Sequence, residues 1–445
     1  MYLILVDTTL RTKALHPKKI KIITLGCSKN TVDSEVLKSQ LEANDFEVEH
    51  ETRGPAPVVV INTCGFIDLA KEESVNTILQ YADEKKAGRL EKLYVTGCLS
   101  QRYKDDLEVE IPEVDAYFGT MELPSLLNTM GATYRDELLG ERSIVTASHY
   151  AYLKISEGCN RTCSFCAIPL MRGKHVSRSM ESLVKEAQHL ANRGVKELIL
   201  IAQELTYYGL DLYQKRTLPE LLNQLCEVDG IEWIRLHYAY PHKFPMEIIE
   251  VMKAQPKICD YLDMPLQHHS DPILKAMRRQ ITAAETHDLI NQIRTIHPKI
   301  RLRTTFLVGF PGETEEDHAA LCAFVEEVKF DRVGVFQYSH EEDTRGYILE
   351  DDVPAEVKRQ RAEEIMAIQN AISLEHNEAL LGSELNVLID RKEGGQYIGR
   401  SEYDSPEVDN EIYIDVKFGE FMPGQFVKIK ITDVTEYDLT GEPLN

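Results

Sequence analysis

No apolar run in this chain is long enough to cross a bilayer; even its most apolar stretch, Leu198–Ala202, is only strand-sized. The sequence also predicts no secretory signal, because the short apolar run Tyr2–Val6 is broken by Asp7 and followed by Lys and Arg. A disulfide framework is equally absent from the pattern: the cysteines number nine, an odd count, and a reducing, cytoplasmic setting is expected. Positive charge is scarce. With 50 Lys and Arg against 73 Asp and Glu, the formal net charge is −23, which weighs against general affinity for phosphate backbones and suits a basic protein partner better. An acidic balance also serves solubility, and a local basic patch is compatible with it. The length of 445 residues leaves room for several domains with substantial cores.

What the chain does have is a C-x3-C-x2-C run, Cys159, Cys163 and Cys166, within Ser156-Glu157-Gly158-Cys159-Asn160-Arg161-Thr162-Cys163-Ser164-Phe165-Cys166. Thiolates this close together can hold three irons of a four-iron, four-sulfur cluster, each Cys giving one soft anionic ligand. The fourth iron stays open to a small molecule, so the spacing predicts a reactive centre. The bland alternatives are a structural zinc or buried small hydrophobes. Zinc would want a fourth ligand at paired spacing, and His175 is the only close candidate. Ferredoxin runs are one residue tighter.

From Lys19 to about Gly119 strand-like runs alternate with helical patterns: Lys21–Leu25, Val58–Ile61, Lys92–Thr96 and Val114–Phe118. This alternation predicts a parallel α/β sheet covered on both faces. Three of its strands run into a cysteine, at Gly26-Cys27, Thr63-Cys64 and Gly97-Cys98. Each alone would be a buried core Cys, but ligands bind outside the carboxyl ends of strands in such sheets, so their shared position predicts a second cluster site. Cys226 and Cys322 fall in helical patterns and Cys259 just ahead of a strand, which leaves all three to the core. From Ala151 to Tyr338 six further strands are expected, at Tyr152–Ile155, Glu197–Ile201, Trp233–His237, Tyr261–Leu266, Arg301–Val308 and Val333–Gln337. Six βα units predict a partial barrel with its chemistry on the loops leaving the strands' C-terminal ends. The unusual residues fall there: the Cys run, Gln203-Glu204, His237-Tyr238, Gln267-His268-His269, Gly309-Phe310-Pro311-Gly312-Glu313 and Tyr338-Ser339. Ser177 or Ser179 caps the helix that follows the Cys run. A long helix is expected over Val353–Leu381. After it, short strands at Glu384–Ile389, Glu411–Val416 and Phe426–Ile431 predict a small antiparallel barrel. From Glu378 onward acidic residues number 15 against 6 basic, which argues against a nucleic-acid module; a merely soluble appended barrel is the plain alternative.

The Cys run after the first barrel strand resembles the radical S-adenosylmethionine enzymes, and the three-part layout resembles their methylthiotransferase branch. The resemblance covers nearly the whole chain from Lys19. It rests also on Leu25-Gly26-Cys27-Ser28-Lys29-Asn30, Asn62-Thr63-Cys64-Gly65-Phe66-Ile67 and Arg303-Thr304-Thr305-Phe306 leading into Gly309-Phe310-Pro311-Gly312-Glu313-Thr314. Residues 1–18 fall outside the pattern, as an extension or a misplaced start. The resemblance implies an α/β chain: an N-terminal cluster domain over 19–140, a radical S-adenosylmethionine partial (βα)6 barrel over 145–375, and a TRAM barrel over 378–445. It implies two 4Fe-4S clusters, on Cys159, Cys163 and Cys166 and on Cys27, Cys64 and Cys98, with S-adenosylmethionine as both radical source and methyl donor. Phe165, Arg178, Gln203, Glu204, Gln267, Gly309 and Gly312 are the implied cofactor contacts, and His268 can line the cavity. Gly399-Arg400-Ser401 with Tyr403-Asp404-Ser405-Pro406-Glu407-Val408-Asp409, and the acidic barrel, are most similar to the protein-modifying members, whose substrate is an aspartate β-carbon of ribosomal protein S-twelve, free or in the small ribosomal subunit. An electron donor such as flavodoxin or ferredoxin is implied; a membrane and a direct tRNA substrate are not expected. The alternatives are a tRNA adenosine methylthiotransferase and, in another class, a non-catalytic iron-sulfur carrier.

Overall fold

The computed structural model describes residues 19–138 and 140–444, so the proposed N-terminal extension and the Tyr2–Val6 run lie outside the described residues. The first sheet holds β1 (Lys19–Thr24), β2 (Glu47–His50), β3 (Val58–Thr63), β4 (Lys92–Gly97) and β5 (Ala116–Tyr117), all parallel, in the order β2-β1-β3-β4-β5. β2, with only four mostly charged residues on an edge, went unread in the sequence. Helices α1 (Ser28–Glu42), α2 (Asp68–Lys86) and α3 (Cys98–Glu110) follow β1, β3 and β4. The strand order reverses between β1 and β3, and a crevice opens at such a switch point beyond the strands' carboxyl ends.

The central sheet runs β6 (Tyr150–Lys154), β9 (Glu197–Ile201), β10 (Trp233–Leu236), β11 (Ile258–Asp263), β12 (Arg301–Val308) and β13 (Arg332–Gln337), each parallel to its neighbour in chain order. A small hairpin, β7 (Ser156–Glu157) with β8 (Val176–Ser177), interrupts it after β6. Between successive strands lie helices whose apolar stripes, such as Leu183, Ala187 and Leu190, form one large core against the strands. Ser179 rather than Ser177 caps that helix, accepting from Ser182 N–H at 3.2 Å. β6 and β13 are open edges, so the barrel is partial. Val32 of α1 packs on Tyr150, Tyr152, Ile199 and Ile201, covering the open side at β6.

After the helix Ala355–Glu378, β14 (Glu384–Glu393), β15 (Gln396–Arg400), β16 (Ile412–Asp415), β17 (Phe426–Val434) and β18 (Leu439–Pro443) close into a barrel, mostly antiparallel, with β16 and β18 paired in parallel. β15 and β18 carry Gly399 and Gly441, which blunted their strand pattern. Two cysteine placements are corrected. Cys259 lies inside β11, because that strand begins at Ile258. Cys322 is only half-buried, on a helix face beside His318, and packs against the edge of the core.

The acidic stretch after β15 does not sit in solvent. It enters the N-terminal end of the partial barrel: Asp404 binds Arg332 at 2.6 Å, Asp409 accepts from Tyr261 Oη at 2.7 Å, and Ser405 meets His237 Nε2 at 2.9 Å. Glu197, fully buried at the start of β9, accepts from Arg235 at 2.7 Å and Arg400 at 2.9 Å, and Arg400 continues to Asp390. Part of the barrel's acidic excess therefore serves internal ion pairs, which composition alone cannot separate from surface charge.

Candidate functional site

Cys27, Cys64 and Cys98 stand at the carboxyl ends of β1, β3 and β4. Two glycines permit their approach. Gly26 has φ +92°, and a Cβ there would lie 2.7 Å from Cys64 Cβ; Gly97 has φ +103°, and a Cβ would lie 2.5 Å from both Asn62 Oδ1 and Thr63 O. Asn30 ties the strand ends together, donating to Leu25 O at 2.7 Å and Thr63 O at 3.1 Å, with its Oδ1 3.8 Å from Cys98 Sγ. Cys27 is exposed and the other two are buried. Burial pushes the Cys98 thiol up to about 12, with the neighbouring Cys27 and Cys64 adding to the rise and Arg172 opposing it. Burial likewise raises Cys64.

Cys159, Cys163 and Cys166 occupy the loop between β7 and the helix Ile168–Arg172. Backbone bonds pin that loop: Cys159 N–H to Gly173 O at 3.1 Å, Ser164 N–H to Met277 O at 3.1 Å and Gly346 N–H to Ser164 O at 2.6 Å. Arg279 Nη1 lies 3.4 Å from Cys163 Sγ and Tyr240 Oη 3.9 Å from it. The Arg161 N–H points at Cys159 Sγ at 3.4 Å, while its guanidinium stacks between Tyr207 at 3.9 Å and Tyr240 at 3.8 Å and pairs with Glu204 at 3.0 Å. Burial pushes Cys159 up to about 11 and raises Cys166 as well, the latter helped by the charges of Cys163 and Cys159. Thiols held protonated this way become ligands when positive charge arrives, so loading should release protons.

The donor sets fit four-iron clusters better than single ions. A zinc holds its sulfurs about 3.8 Å apart at Zn–S bonds of about 2.3 Å. Three thiols apiece leave one iron of a cubane open, whereas a structural zinc is closed by four ligands. His175, the zinc alternative's fourth ligand, meets Ser177 Oγ through Nε2 at 3.0 Å and has no hydrogen-bond partner at Nδ1 among the described residues. All six thiols are unpaired as disulfides.

The two triads flank one short element. On the helix Ile168–Arg172 and the residue before it, Ala167, Ile168 and Met171 pack against Cys98. Arg172 reaches Asp33 at 2.5 Å and Asn30 Oδ1 across the boundary, and Thr120 Oγ1 donates to Met171 O at 2.6 Å.

The other expected contacts scatter around this centre. Gln203 donates to Glu157 at 2.5 Å. Glu204, 1% exposed, is committed to Arg161 and Thr206. Arg178 pairs with Glu186 at 2.6 Å and donates to Lys154 O and Ser182, on the outer side of β6. Phe165 packs on Ile273, Met277, Leu307, Phe310 and Tyr338. Gln267, at φ +79°, is threaded between Thr305 and Leu307 of β12 by its backbone. His268 is fully buried, its Nδ1 accepting from Ser270 N–H at 3.0 Å. Glu313 accepts from Gly309 and Phe310 N–H and so shapes their turn, while Gly312 N–H donates to Asp352 at 2.8 Å. Sequence reasoning missed Arg161, Arg172, Tyr240 and Arg279. Only Arg161, lodged between two cysteines of the run, carried a local signal.

Comparison with known proteins agrees with this layout. Residues 19–119 match a family described as Uncharacterized protein family UPF0004, residues 153–325 the Radical SAM superfamily and residues 381–444 the TRAM domain. Among solved structures, the radical S-adenosylmethionine methyltransferase TsrM from Kitasatospora setae superposes with a TM-score of 0.52 at 14% identity, over 72% of this chain and 75% of that one. The cobalamin-dependent S-adenosylmethionine radical enzyme OxsB gives 0.53 at 12% identity, over 79% and 56%. At such identities these likenesses show the fold alone. The three matched domains, taken with the curated relatives, place the chain among the radical S-adenosylmethionine methylthiotransferases.

Curated relatives narrow that class. The ribosomal protein uS12 methylthiotransferase RimO of Flavobacterium johnsoniae is 61% identical over 98% of this chain and 100% of its own length. Those of Cytophaga hutchinsonii and Bacteroides thetaiotaomicron are 57% and 52% identical over 97% and 96% of this chain and 99% of each relative. This chain belongs to the RimO family.

Proposed function

We propose that the protein adds a methylthio group to the β-carbon of an aspartate in ribosomal protein uS12. The observation that carries the reading is the pair of cysteine triads flanking Ala167–Arg172, in a chain that aligns end to end with relatives named for that activity. When bound, two 4Fe-4S clusters and S-adenosylmethionine supply the one-electron cleavage, the removal of hydrogen from an inert C–H bond, and the sulfur and methyl group.

The chain's part is to hold and tune. Cys159, Cys163 and Cys166 hold one cluster and Cys27, Cys64 and Cys98 the other. Arg279 and the Arg161 N–H donate toward the sulfurs of the first, a placement that moves a cluster's potential through its ligands. Glu204 acts by fixing Arg161 between its two tyrosines, and Arg178 by fixing Glu186 beside β6. Gln203, Gln267 and the Phe165 ring are the side chains we assign to the S-adenosylmethionine pocket, with Gly309 and Gly312 offering backbone approach. An electron donor of the flavodoxin or ferredoxin kind completes the cycle, and a cytoplasmic setting agrees with it. No helix among the described residues is long and apolar enough to cross a membrane.

The test is mass spectrometry of a deletion strain beside its parent, on intact ribosomal proteins and digested tRNA nucleosides together. Loss of the methylthio mass from uS12 alone is expected. Loss from an adenosine with uS12 unchanged would transfer the reading to the tRNA branch.

A further inference from the structure

Lys29 is the second residue of α1, two positions after Cys27 and 7% exposed. Its ammonium sits 3.1 Å above the centroid of the Tyr238 ring and makes no ion pair or hydrogen bond among the described residues. Buried lysines are ordinarily paired. The position is also unfavourable in itself, since a cation at a helix N-terminus faces the positive end of the backbone dipole. Tyr238 is unusual too: it holds φ +65°, its N–H bound to Asp263 at 3.1 Å and its O accepting from Leu205 N–H, so the backbone is fixed in a conformation that aims the ring at Lys29. Arg303 and Arg235 lie near enough that, with Lys29, they add to the effect of burial in holding the adjacent His237 well below its usual range.

Arg303 and Arg235 are paired with Asp263 and Glu197, so among the described residues Lys29 is the cation of this group without a carboxylate partner. Lys29 leads back to Cys27 in two residues, and Tyr238 leads on in two to Tyr240, whose hydroxyl is near Cys163.

From this we infer that Lys29, held by Tyr238, is the group that receives the carboxylate of the substrate aspartate and so places its β-carbon between the two clusters. The inference rests on the proposed function and deepens it. A carboxylate is also carried by S-adenosylmethionine, but Lys29 belongs to the N-terminal domain beside the second triad, on the side from which sulfur must come. Lys29 would be a substrate-binding residue: it touches the carboxylate and moves no proton.

The test uses the fully reconstituted enzyme with two uS12 loop peptides, one carrying the target aspartate and one an asparagine in its place. Methylthio product from the wild type on the aspartate peptide establishes the function first; its absence would fail that reading, not this one. Lys29→Gln, checked for iron content, should lose the preference for aspartate over asparagine by at least about 30-fold, the scale for removing one partner of a desolvated charge pair. Lys29→Arg should keep the preference. A Lys29→Gln enzyme with the wild-type preference, or one changed only in its KM for S-adenosylmethionine, overturns the inference. Should Lys29→Gln fail to load iron, Tyr238→Leu decides: a raised KM for the aspartate peptide alone is expected, and an unchanged one refutes the assignment.

Discussion

Replacing Glu197 by Leu should loosen the C-terminal barrel from the radical domain, and the chain carries its own reporter of that event. Glu197 is fully buried and accepts from two guanidinium groups, Arg235 and Arg400, at 2.7 and 2.9 Å. Burial alone would raise its carboxyl, yet Arg400 and Arg235 more than offset this and hold it below the usual carboxylate range. Charge-assisted bonds contribute about 1.5–3 kcal/mol each. Removing one member of a buried ionic group costs about 3–5 kcal/mol, since the partners stay buried without compensation. The two routes agree on about 4 kcal/mol, roughly a 10³-fold shift in the docking equilibrium. Arg400 retains Asp390, which keeps the loss from running higher. The chain's single tryptophan, Trp233, meets Phe426 of β17 edge-on with ring centroids 4.9 Å apart, directly across the same boundary. Anaerobic urea titration followed by Trp233 fluorescence should therefore show a transition at clearly lower denaturant in Glu197→Leu. A midpoint equivalent to less than about 0.5 kcal/mol from wild type would refute the reasoning, because an exchange of that size belongs to solvent-exposed pairs.

Cys163→Ala should abolish reductive cleavage of S-adenosylmethionine, read as deoxyadenosine released under strong reductant; retained release would remove the first cluster from Cys163. Cys64→Ala should still release deoxyadenosine while the methylthio product disappears, and normal product would take the second triad out of the reaction. Stability should fall with acid partly through His269, which burial and the neighbouring His287 and His268 hold down to about 4, its ring stacked 3.6 Å from Phe324. The sign follows from linkage: between about pH 6.5 and 4 the unfolded chain binds the proton and the folded chain does not, so stability is present above that window and lost on falling through it. One proton sets a ceiling of about 1.4 kcal/mol per pH unit, reduced here because the ring is partly exposed. His269→Phe should flatten that share of the slope in urea midpoints taken at about pH 7 and 5, and an unchanged slope would exclude His269 as a contributor.

Both triads were legible because their information is local. One is a spacing within eight residues, and the other is a repeated strand-then-cysteine ending that the parallel sheet brings to one edge. The residues that tune and join them were not. Arg172 acts on Asn30 and Asp33, about 140 positions earlier, and Arg279 on Cys163, 116 earlier, and no window around either predicts its partner. The acidic stretch from Tyr403 to Asp409 was noticed as a likeness to the protein-modifying members, but its location was not legible. Composition counts Asp404 and Asp409 as charge toward solvent, whereas Arg332, Arg303 and Tyr261 draw them inward. Cys322 shows the reverse, since its helical pattern suggested core where the helix face is only half covered.

The distribution of buried ion pairs follows from what the chemistry demands of the fold. The N-terminal domain meets the radical domain through Arg142 with Glu35 and Glu186, through Asp33 with Arg172 and Lys154, and through Glu341 with Arg102 and Lys71. Such pairs add little net stability over apolar contacts, because desolvation offsets most of their attraction. They are directional, however, and an apolar face can slide by a side chain at small cost. Under the proposed function, transfer between the two clusters tolerates little sliding, since a misplacement of about 1 Å can cost about 10²-fold in rate. Asp33 lies on α1, six residues beyond Cys27, and Arg172 ends the short helix six residues beyond Cys166, so a single bridge at 2.5 Å ties one triad's loop to the other's. The boundary between the two triads is thus built from the contacts that resist displacement most sharply.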